Sequence, residues 1–261
     1  SSAASDVYKR QPFEPMPGGV EHIPATIEAL EAAIDDRVAA VIVEPIQGEA
    51  GVVELAEGYL QAARSLTLKH GALLIVDEIQ TGAGRTGAWF GFSHEGITPD
   101  AITLAKGIGG GFPIGALVTY GAASSLFTPG SHGSTFGGNP LATAVADAVL
   151  TEIERAGLVD NAARRGEEIL EIIADIDSPL VTGVRGRGLL IGVALGAPVA
   201  NEVVAAAQER GLIVNAANPE TVRIAPALTI GDAELAEFRE LFAASLSDVQ
   251  TSLPEAGKAL A

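Results

Sequence analysis

The chain is predicted to be an α/β protein with a mostly parallel sheet in its large domain, followed by a small α+β C-terminal domain. Three observations carry that prediction. Short apolar, β-branched runs alternate with helical segments through the first 156 residues, which implies parallel strands with helices covering both faces of the sheet. Two of those runs break into glycine-rich turns, as strands do at the ligand-binding edge of an α/β sheet. After about Gly157 the pattern changes to charged amphipathic helices separated by short strands.

Taken in order, Ser1–Gln11 lacks both periodicity and the apolar centre of a secretory signal, and reads as a ragged or artefactual end. Thr26–Asp36 reads as a helix with Thr26 as N-cap and Leu30, Ala33 and Ile34 on one face. Val38–Val43 is a short apolar strand. Glu57–His70 is helical, turns Leu60, Ala63 and Leu66 inward, and stops at Gly71. Strands follow at Ala72–Val76, ending on Asp77, at Asp100–Ala105, ending on Lys106, and at Ala116–Thr119. Asn139-Pro140 supplies an N-cap and first helical residue for Leu141–Arg155. The small domain reads as a helix at Leu158–Ile176, a strand at Gly188–Leu195 and a helix at Ala200–Arg210. Strands at Leu212–Asn215 and Val222–Ile224 and a helix at Glu234–Leu246 complete it. The expected division is residues 12–156 for the large domain, 157–250 for the small one and 251–261 for a tail.

Composition narrows the function classes. With 261 residues and 48% apolar content there is ample material for a core. No apolar run reaches the roughly 18 residues of a membrane span. The absence of cysteine excludes disulfides and thiolate–metal sites and suits a reducing cytoplasm. A formal charge of −17 argues against a nucleic-acid partner. The four histidines have no metal-ligand spacing, so no metal is expected.

Asp77 and Lys106 then stand out, each at the carboxyl end of an apolar run. A lysine in that place can form a Schiff base with pyridoxal phosphate, and an aspartate can keep the pyridine nitrogen protonated so that the ring acts as an electron sink. Placement alone leaves Lys106 open between a nucleophile and a solvated turn lysine. Gly107-Ile108-Gly109-Gly110-Gly111 after it permits close backbone approach, and a desolvated amine there would be a better nucleophile. For Asp77, an opposite charge about 4 Å away at an effective dielectric near 20 contributes roughly 4 kcal/mol, enough to hold the ring nitrogen cationic. If the strand continues past Asp77, Ile79 and Gln80 point alternately, one onto a ring face and one toward its edge. Gly82-Ala83-Gly84-Arg85-Thr86-Gly87 matches the dinucleotide pattern G-x-G-x-x-G, but Ala88-Trp89-Phe90-Gly91-Phe92 does not start a helix. Lys106 occupies the region where a ribose-binding acid is expected.

Five blocks carry a resemblance. They are Val43-Glu44-Pro45-Ile46-Gln47-Gly48-Glu49-Ala50-Gly51, Leu74-Ile75-Val76-Asp77-Glu78-Ile79-Gln80-Thr81-Gly82, Gly84-Arg85-Thr86-Gly87, Leu104-Ala105-Lys106-Gly107, and His132-Gly133-Ser134-Thr135-Phe136-Gly137-Gly138-Asn139-Pro140. In order and spacing, from about Pro12 to Leu246, the chain resembles the class III (ornithine-type) aminotransferases. Gly133–Pro140, Val184–Leu190 and Val214-Asn215-Ala216 most resemble the acetylornithine aminotransferases within that class.

The resemblance implies a fold type I pyridoxal-phosphate-dependent transferase with pyridoxal 5'-phosphate as cofactor. Lys106 is implied as the Schiff-base lysine and α-proton base, Asp77 as partner of the pyridine nitrogen, Ile79 as a ring contact and Gln80 as a contact of the ring hydroxyl. Glu78 falls in the same cofactor-binding block. Thr135 is implied to bind the phosphate of a neighbouring subunit's cofactor, which requires a homodimer, and Ser134 to touch substrate. Outside the motif, Ser134 and Thr135 would read as an ordinary turn. Arg223 resembles the arginine that grips a substrate carboxylate, and Glu49 the glutamate that pairs with it when the substrate end lacks a carboxylate. Arg187 reads as structural and His132 as part of a loop scaffold.

The implied reaction moves the amino group of N2-acetyl-L-ornithine to 2-oxoglutarate by a ping-pong route, in cytoplasmic arginine biosynthesis. Ornithine, 4-aminobutyrate and N-succinyl-diaminopimelate are the alternative donors within the class. A catalytically inactive fragment and a nicotinamide oxidoreductase are readings from other classes. Members of the class also carry a segment upstream of the Pro12 position, with a Gly-Thr phosphate cup, a ring-stacking aromatic and a second arginine. No counterpart precedes Pro12 here, so the expectation is an N-terminally truncated enzyme.

Overall fold

The structure, a computed structural model, describes residues 14–15 and 18–253. The stretch read as a ragged end and most of the predicted tail lie outside those residues. The chain divides into two compact units. The first takes residues up to Gln47, then Leu55–Ala83 and Trp89–Glu152. The second takes Gly48–Glu54, Gly84–Ala88 and everything from Ile153 onward, so it draws two short segments from within the run that supplies the first.

The first unit is built on four strands, β1 (Ala40–Val43), β4 (Leu73–Asp77), β5 (Ala101–Leu104) and β6 (Ala116–Thr119), in the order β1-β4-β5-β6. The two-residue strands β2 (Ile46–Gln47) and β3 (Val53–Glu54) lie between β1 and β4 in sequence. β1, β4 and β5 run parallel, and β6 returns antiparallel beside β5. Alternation along β4 sends Leu74 and Val76 into a core with Ile102 of β5. Helix α1 (Ile27–Ala33) contributes Leu30 to that core, and α2 (Tyr59–His70) contributes Tyr59, Leu60 and Ala63. Both helices end as their sequences dictate. The Thr26 hydroxyl accepts from the Ala29 N–H at 3.2 Å, and Gly71 closes α2 in the left-handed region at φ 70°. The expectation that helices cover both faces of the sheet is not met throughout. Ile42 is 60% and Leu117 49% exposed, on the face opposite Leu74 and Val76.

The second unit is an antiparallel sheet in the order β7-β8-β10-β9, with β7 Val181–Arg187, β8 Leu190–Leu195, β9 Asn215–Asn218 and β10 Thr221–Ile224. Its core joins Ile191 and Val193 of β8 and Val222 of β10 to side chains of three helices. Ile169 comes from α4 (Leu158–Ile176), Val203 from α5 (Ala200–Glu209), and Phe238, Phe242 and Leu246 from α6 (Asp232–Ser252). Helix α3 (Pro140–Arg155) precedes α4 and is capped by Asn139, whose Oδ1 accepts from the Ala142 N–H at 3.0 Å.

In the second unit three elements depart most from expectation. β7 was not expected, because Val184-Arg185-Gly186-Arg187 is polar; it forms because β8 offers a complete antiparallel edge, pairing Val184 with Val193 and Arg187 with Leu190. The strand predicted at Leu212–Asn215 begins instead at Asn215, since β10 pairs only as far as Arg223 with Asn215. Ile213 therefore lies beyond the ladder and is 91% exposed. Helix α6 extends to both sides of its predicted span, starting where the Gly231 N–H donates to Glu234 Oε2 at 2.9 Å.

Candidate functional site

In the first unit the parallel pairing of β4 with β5 places Asp77 opposite Thr103. Lys106 comes three positions later, so both residues sit at the carboxyl ends of adjacent strands. Asp77 Oδ1 accepts two hydrogen bonds, from the Ile79 N–H and from Thr103 Oγ1, each at 3.0 Å. Both donors fall on the same oxygen. The carboxylate is thus fixed in orientation with Oδ2 left for a cationic N–H, which is what a pyridine nitrogen partner needs. Thr103 was not identified from the sequence; its signal lies in strand register, which a single sequence does not display.

Lys106 has φ +46°, a left-handed conformation that a non-glycine residue adopts at a cost of order 1–3 kcal/mol and that clusters at functional sites. It opens a short 3-10 turn, Lys106–Gly109. The side chain is exposed, so the described residues do not supply the desolvation that its apolar flanks suggested. Two glycines shape the surroundings by close approach. A Cβ on Gly82 would lie 2.8 Å from the Glu78 carbonyl oxygen and 2.9 Å from Leu104 Cδ2, so the turn after Asp77 can settle on the end of β5 only with glycine there. A Cβ on Gly109 would lie 2.9 Å from Ile114.

The residues after Asp77 differ from expectation. β4 stops at Asp77, and a turn follows in which the Gly82 N–H donates to the Glu78 carbonyl at 2.9 Å. Ile79 and Gln80 are half-buried turn residues, so strand alternation does not aim them. Glu78, placed with the cofactor-binding residues, is committed elsewhere. Its side chain is buried, 1% exposed, and accepts from Thr81 Oγ1 at 2.5 Å, the Gly91 N–H at 2.8 Å and the Phe92 N–H at 2.9 Å. Burial raises its pKa, the three donors pull it down, and the Asp77 charge beside it raises it. Glu78 is a buried clamp that fixes the 78–92 connection, and a cofactor contact through its side chain is not supported.

Ser134 and Thr135 stand in an exposed loop. Ser134 Oγ accepts from the Gly137 N–H at 3.0 Å and shapes that loop. His132 lies 6.3 Å from the Phe127 ring in a stacked arrangement. Neither hydroxyl residue is brought against Asp77 or Lys106 by any described hydrogen bond.

The second unit holds a separate polar cluster. Arg223, in the middle of β10, has a side chain only 16% exposed. Its Nη1 meets Glu49 Oε1 at 2.8 Å, and its Nε donates to Asn215 Oδ1 at 2.8 Å. The structure therefore joins Arg223 to Glu49 across 174 positions of sequence and adds Asn215, which residue type alone did not single out. Arg187 pairs with Glu54 at 2.6 Å, whose other oxygen accepts from the Gly186 N–H at 3.2 Å.

The glycine run that imitates a dinucleotide motif has a packing role. A Cβ on Gly87 would lie 2.8 Å from Ala163, and one on Gly84 would lie 3.2 Å from Val159. Between them Arg85 donates from Nη1 to the carbonyls of Leu189 at 3.1 Å and Pro226 at 2.5 Å. Burial lowers the Arg85 pKa. No α-helix opens from the run, only a short 3-10 turn at Gly91–Glu95 further on, so the run does not form the helix N-terminus that a dinucleotide phosphate needs.

Comparison with known proteins follows the same blocks. A model of the family described as Aminotransferase class-III matches residues 8–246. The acetylornithine aminotransferase of Mycolicibacterium smegmatis is 53% identical over 231 residues, covering 88% of this chain and 59% of its own length. That of Streptomyces coelicolor is 52% identical over 226 residues, covering 86% and 56%. Among solved structures, the ornithine aminotransferase from Toxoplasma gondii ME49 superimposes with a TM-score of 0.87 at 37% identity, covering 92% of this chain and 59% of that one. The acetylornithine aminotransferase from Elizabethkingia anophelis gives 0.84 at 36%, covering 91% and 62%. The chain thus spans a little under three fifths of the curated relatives it matches.

Proposed function

This chain belongs to the class-III aminotransferases, a pyridoxal-phosphate-dependent family, and from that membership we propose that it serves the transfer of the amino group of N2-acetyl-L-ornithine to 2-oxoglutarate. The observation that carries the choice of substrates is the 2.8 Å pair between Arg223 and Glu49. A planar guanidinium takes a carboxylate of 2-oxoglutarate through parallel hydrogen bonds. N2-acetyl-L-ornithine has no carboxylate beside its reacting δ-amine, and with that end in place Glu49 neutralises the arginine instead. One cluster then accepts both partners of a ping-pong exchange.

The cofactor, when bound, supplies the electron sink for bond breaking at the carbon that bears the transferred amino group. Thr103 and the Ile79 N–H hold Asp77 Oδ1, so Oδ2 would pair with the protonated ring nitrogen. Lys106 would hold the cofactor through its amine and would carry the proton of the carbon that bears the transferred amino group. Ile79 and Gln80 would line the ring. Thr135 serves the phosphate of a neighbouring copy in a homodimer, and its exposed loop is consistent with that role. Ser134 touches substrate. The absence of cysteine and the biosynthetic relatives favour a cytoplasmic setting; among the described residues no helix is long and apolar enough to cross a membrane.

Two measurements test this reading. Pyridoxal phosphate added to the protein should give a visible absorption band that Lys106→Ala abolishes without loss of fold by circular dichroism. Turnover should favour N2-acetyl-L-ornithine over ornithine; the reverse preference would assign the chain to the ornithine branch. An absent band would return the inactive-fragment reading.

A further inference from the structure

We propose that Asn215 is a positioning residue that sets the direction of the Arg223 guanidinium and so governs affinity for dicarboxylate substrates, an inference that rests on the role assigned to Arg223 above. The antiparallel register of β9 on β10 pairs Asn215 with Arg223. From that position Asn215 Oδ1 accepts the Arg223 Nε–H at 2.8 Å. The amide cannot turn over at no cost, because its Nδ2 donates to the Ala216 carbonyl at 3.2 Å. The oxygen is thereby held as the acceptor.

The guanidinium thus meets two acceptors of different character. Asn215 is neutral, local and bound into the same hairpin. Glu49 is charged and half-exposed, and its place can be taken by another carboxylate. With Nε held, rotation about the Cδ–Nε bond is restricted, and a carboxylate arriving in place of Glu49 meets donors already aimed at it.

The loop that carries Glu49 is fixed by the same sheet. Arg185 donates from Nε to the carbonyls of Gly51 at 2.9 Å and Val52 at 3.1 Å, and from Nη2 to Thr221 Oγ1 at 3.1 Å. Asn218 Nδ2 donates to the Ala50 carbonyl at 3.0 Å. Gly51 itself has φ +110°, a conformation that other residues rarely adopt, so the turn that carries these carbonyls favours glycine. The β9–β10 hairpin therefore presents Arg223, orients it and anchors the loop of its exchangeable partner. Without Asn215, Nε turns to Glu49 as well, and the bidentate pair competes better against an incoming substrate.

The test uses Asn215→Ala. Because Asn215 is exposed, its melting temperature should match that of the parent. Calorimetric affinity for glutarate, a dicarboxylate that cannot transaminate, should fall about tenfold, as expected for a hydrogen bond to a charged group. KM for 2-oxoglutarate should rise by a similar factor while kcat and KM for N2-acetyl-L-ornithine stay within about twofold, because the reacting end of that donor carries no carboxylate for the guanidinium to grip. Unchanged glutarate affinity, an equal change in both KM values, or no glutarate binding by the parent protein would overturn the inference. Glutarate binding that is lost in the variant, in a protein that does not turn over N2-acetyl-L-ornithine, would overturn the donor assignment and leave the role of Asn215 standing.

Discussion

Glu78 and Asp77 are neighbours with the same chemistry and opposite uses. Asp77 keeps one oxygen available, while Glu78 is sealed in the core with three donors on its carboxylate. Burial is the largest influence on Glu78 and raises its pKa. A carboxyl whose folded pKa is raised binds its proton more tightly folded than unfolded. Its contribution to stability is therefore full below the unfolded pKa and is lost as pH rises through the folded value. Glu78→Gln cannot titrate and has one acceptor oxygen in place of two, so the Gly91 or the Phe92 N–H is stranded. The substitution should cost about 1–3 kcal/mol at neutral pH and flatten this part of the pH dependence. Urea unfolding at several pH values measures both; an unchanged midpoint at neutral pH would show that the carboxylate is not the acceptor these amides need. In the sequence Asp77 could be singled out because it ends an apolar strand. The role of Glu78 could not, because its donors Gly91 and Phe92 lie 13 and 14 positions away.

At the scale of elements, the amphipathic helices and apolar strands were legible. Leu158–Ile176 and Ala116–Thr119 have the boundaries that their periodicity and flanks predict. What failed were the polar edge strands of the second unit. β7 is polar and pairs only because β8 lies beside it, and β9 starts where β10 can reach it rather than where the apolar residues are. The turn between β7 and β8 depends on Gly188, at φ +54°. A Cβ there would lie 2.5 Å from the Thr86 carbonyl carbon and 2.7 Å from the Arg85 oxygen, both backbone atoms that cannot swing aside. Gly188→Ala should therefore destabilise the protein by about 3 kcal/mol. Gly183→Ala, on the same strand with nothing within 4 Å of its added methyl, should stay within about 0.5 kcal/mol. Equal melting temperatures for the two variants would show that the 84–88 segment does not lie against that turn as described.

Across the whole molecule, 33 acidic side chains face 16 basic ones, and the resulting self-repulsion opposes the compact state. Raising NaCl to about 0.5 M shortens the screening length to a few ångströms and should raise the melting temperature. A fall would mean that ion pairs such as Arg64–Asp100 and Arg223–Glu49 outweigh the repulsion. Chemistry that depends on residue identity at a strand end was present in the sequence by itself. Asp77 and Lys106 could be singled out because each follows an apolar run, and Arg223 because it interrupts one, while the family blocks supplied the roles expected of them. Tertiary structure alone decided which groups meet. Thr103 reaches Asp77 through parallel register, Asn215 and Glu49 reach Arg223 from 8 and 174 positions upstream, and Glu78 turns inward. Each outcome depends on strands or loops whose pairing is fixed by packing at a distance, which no local window records.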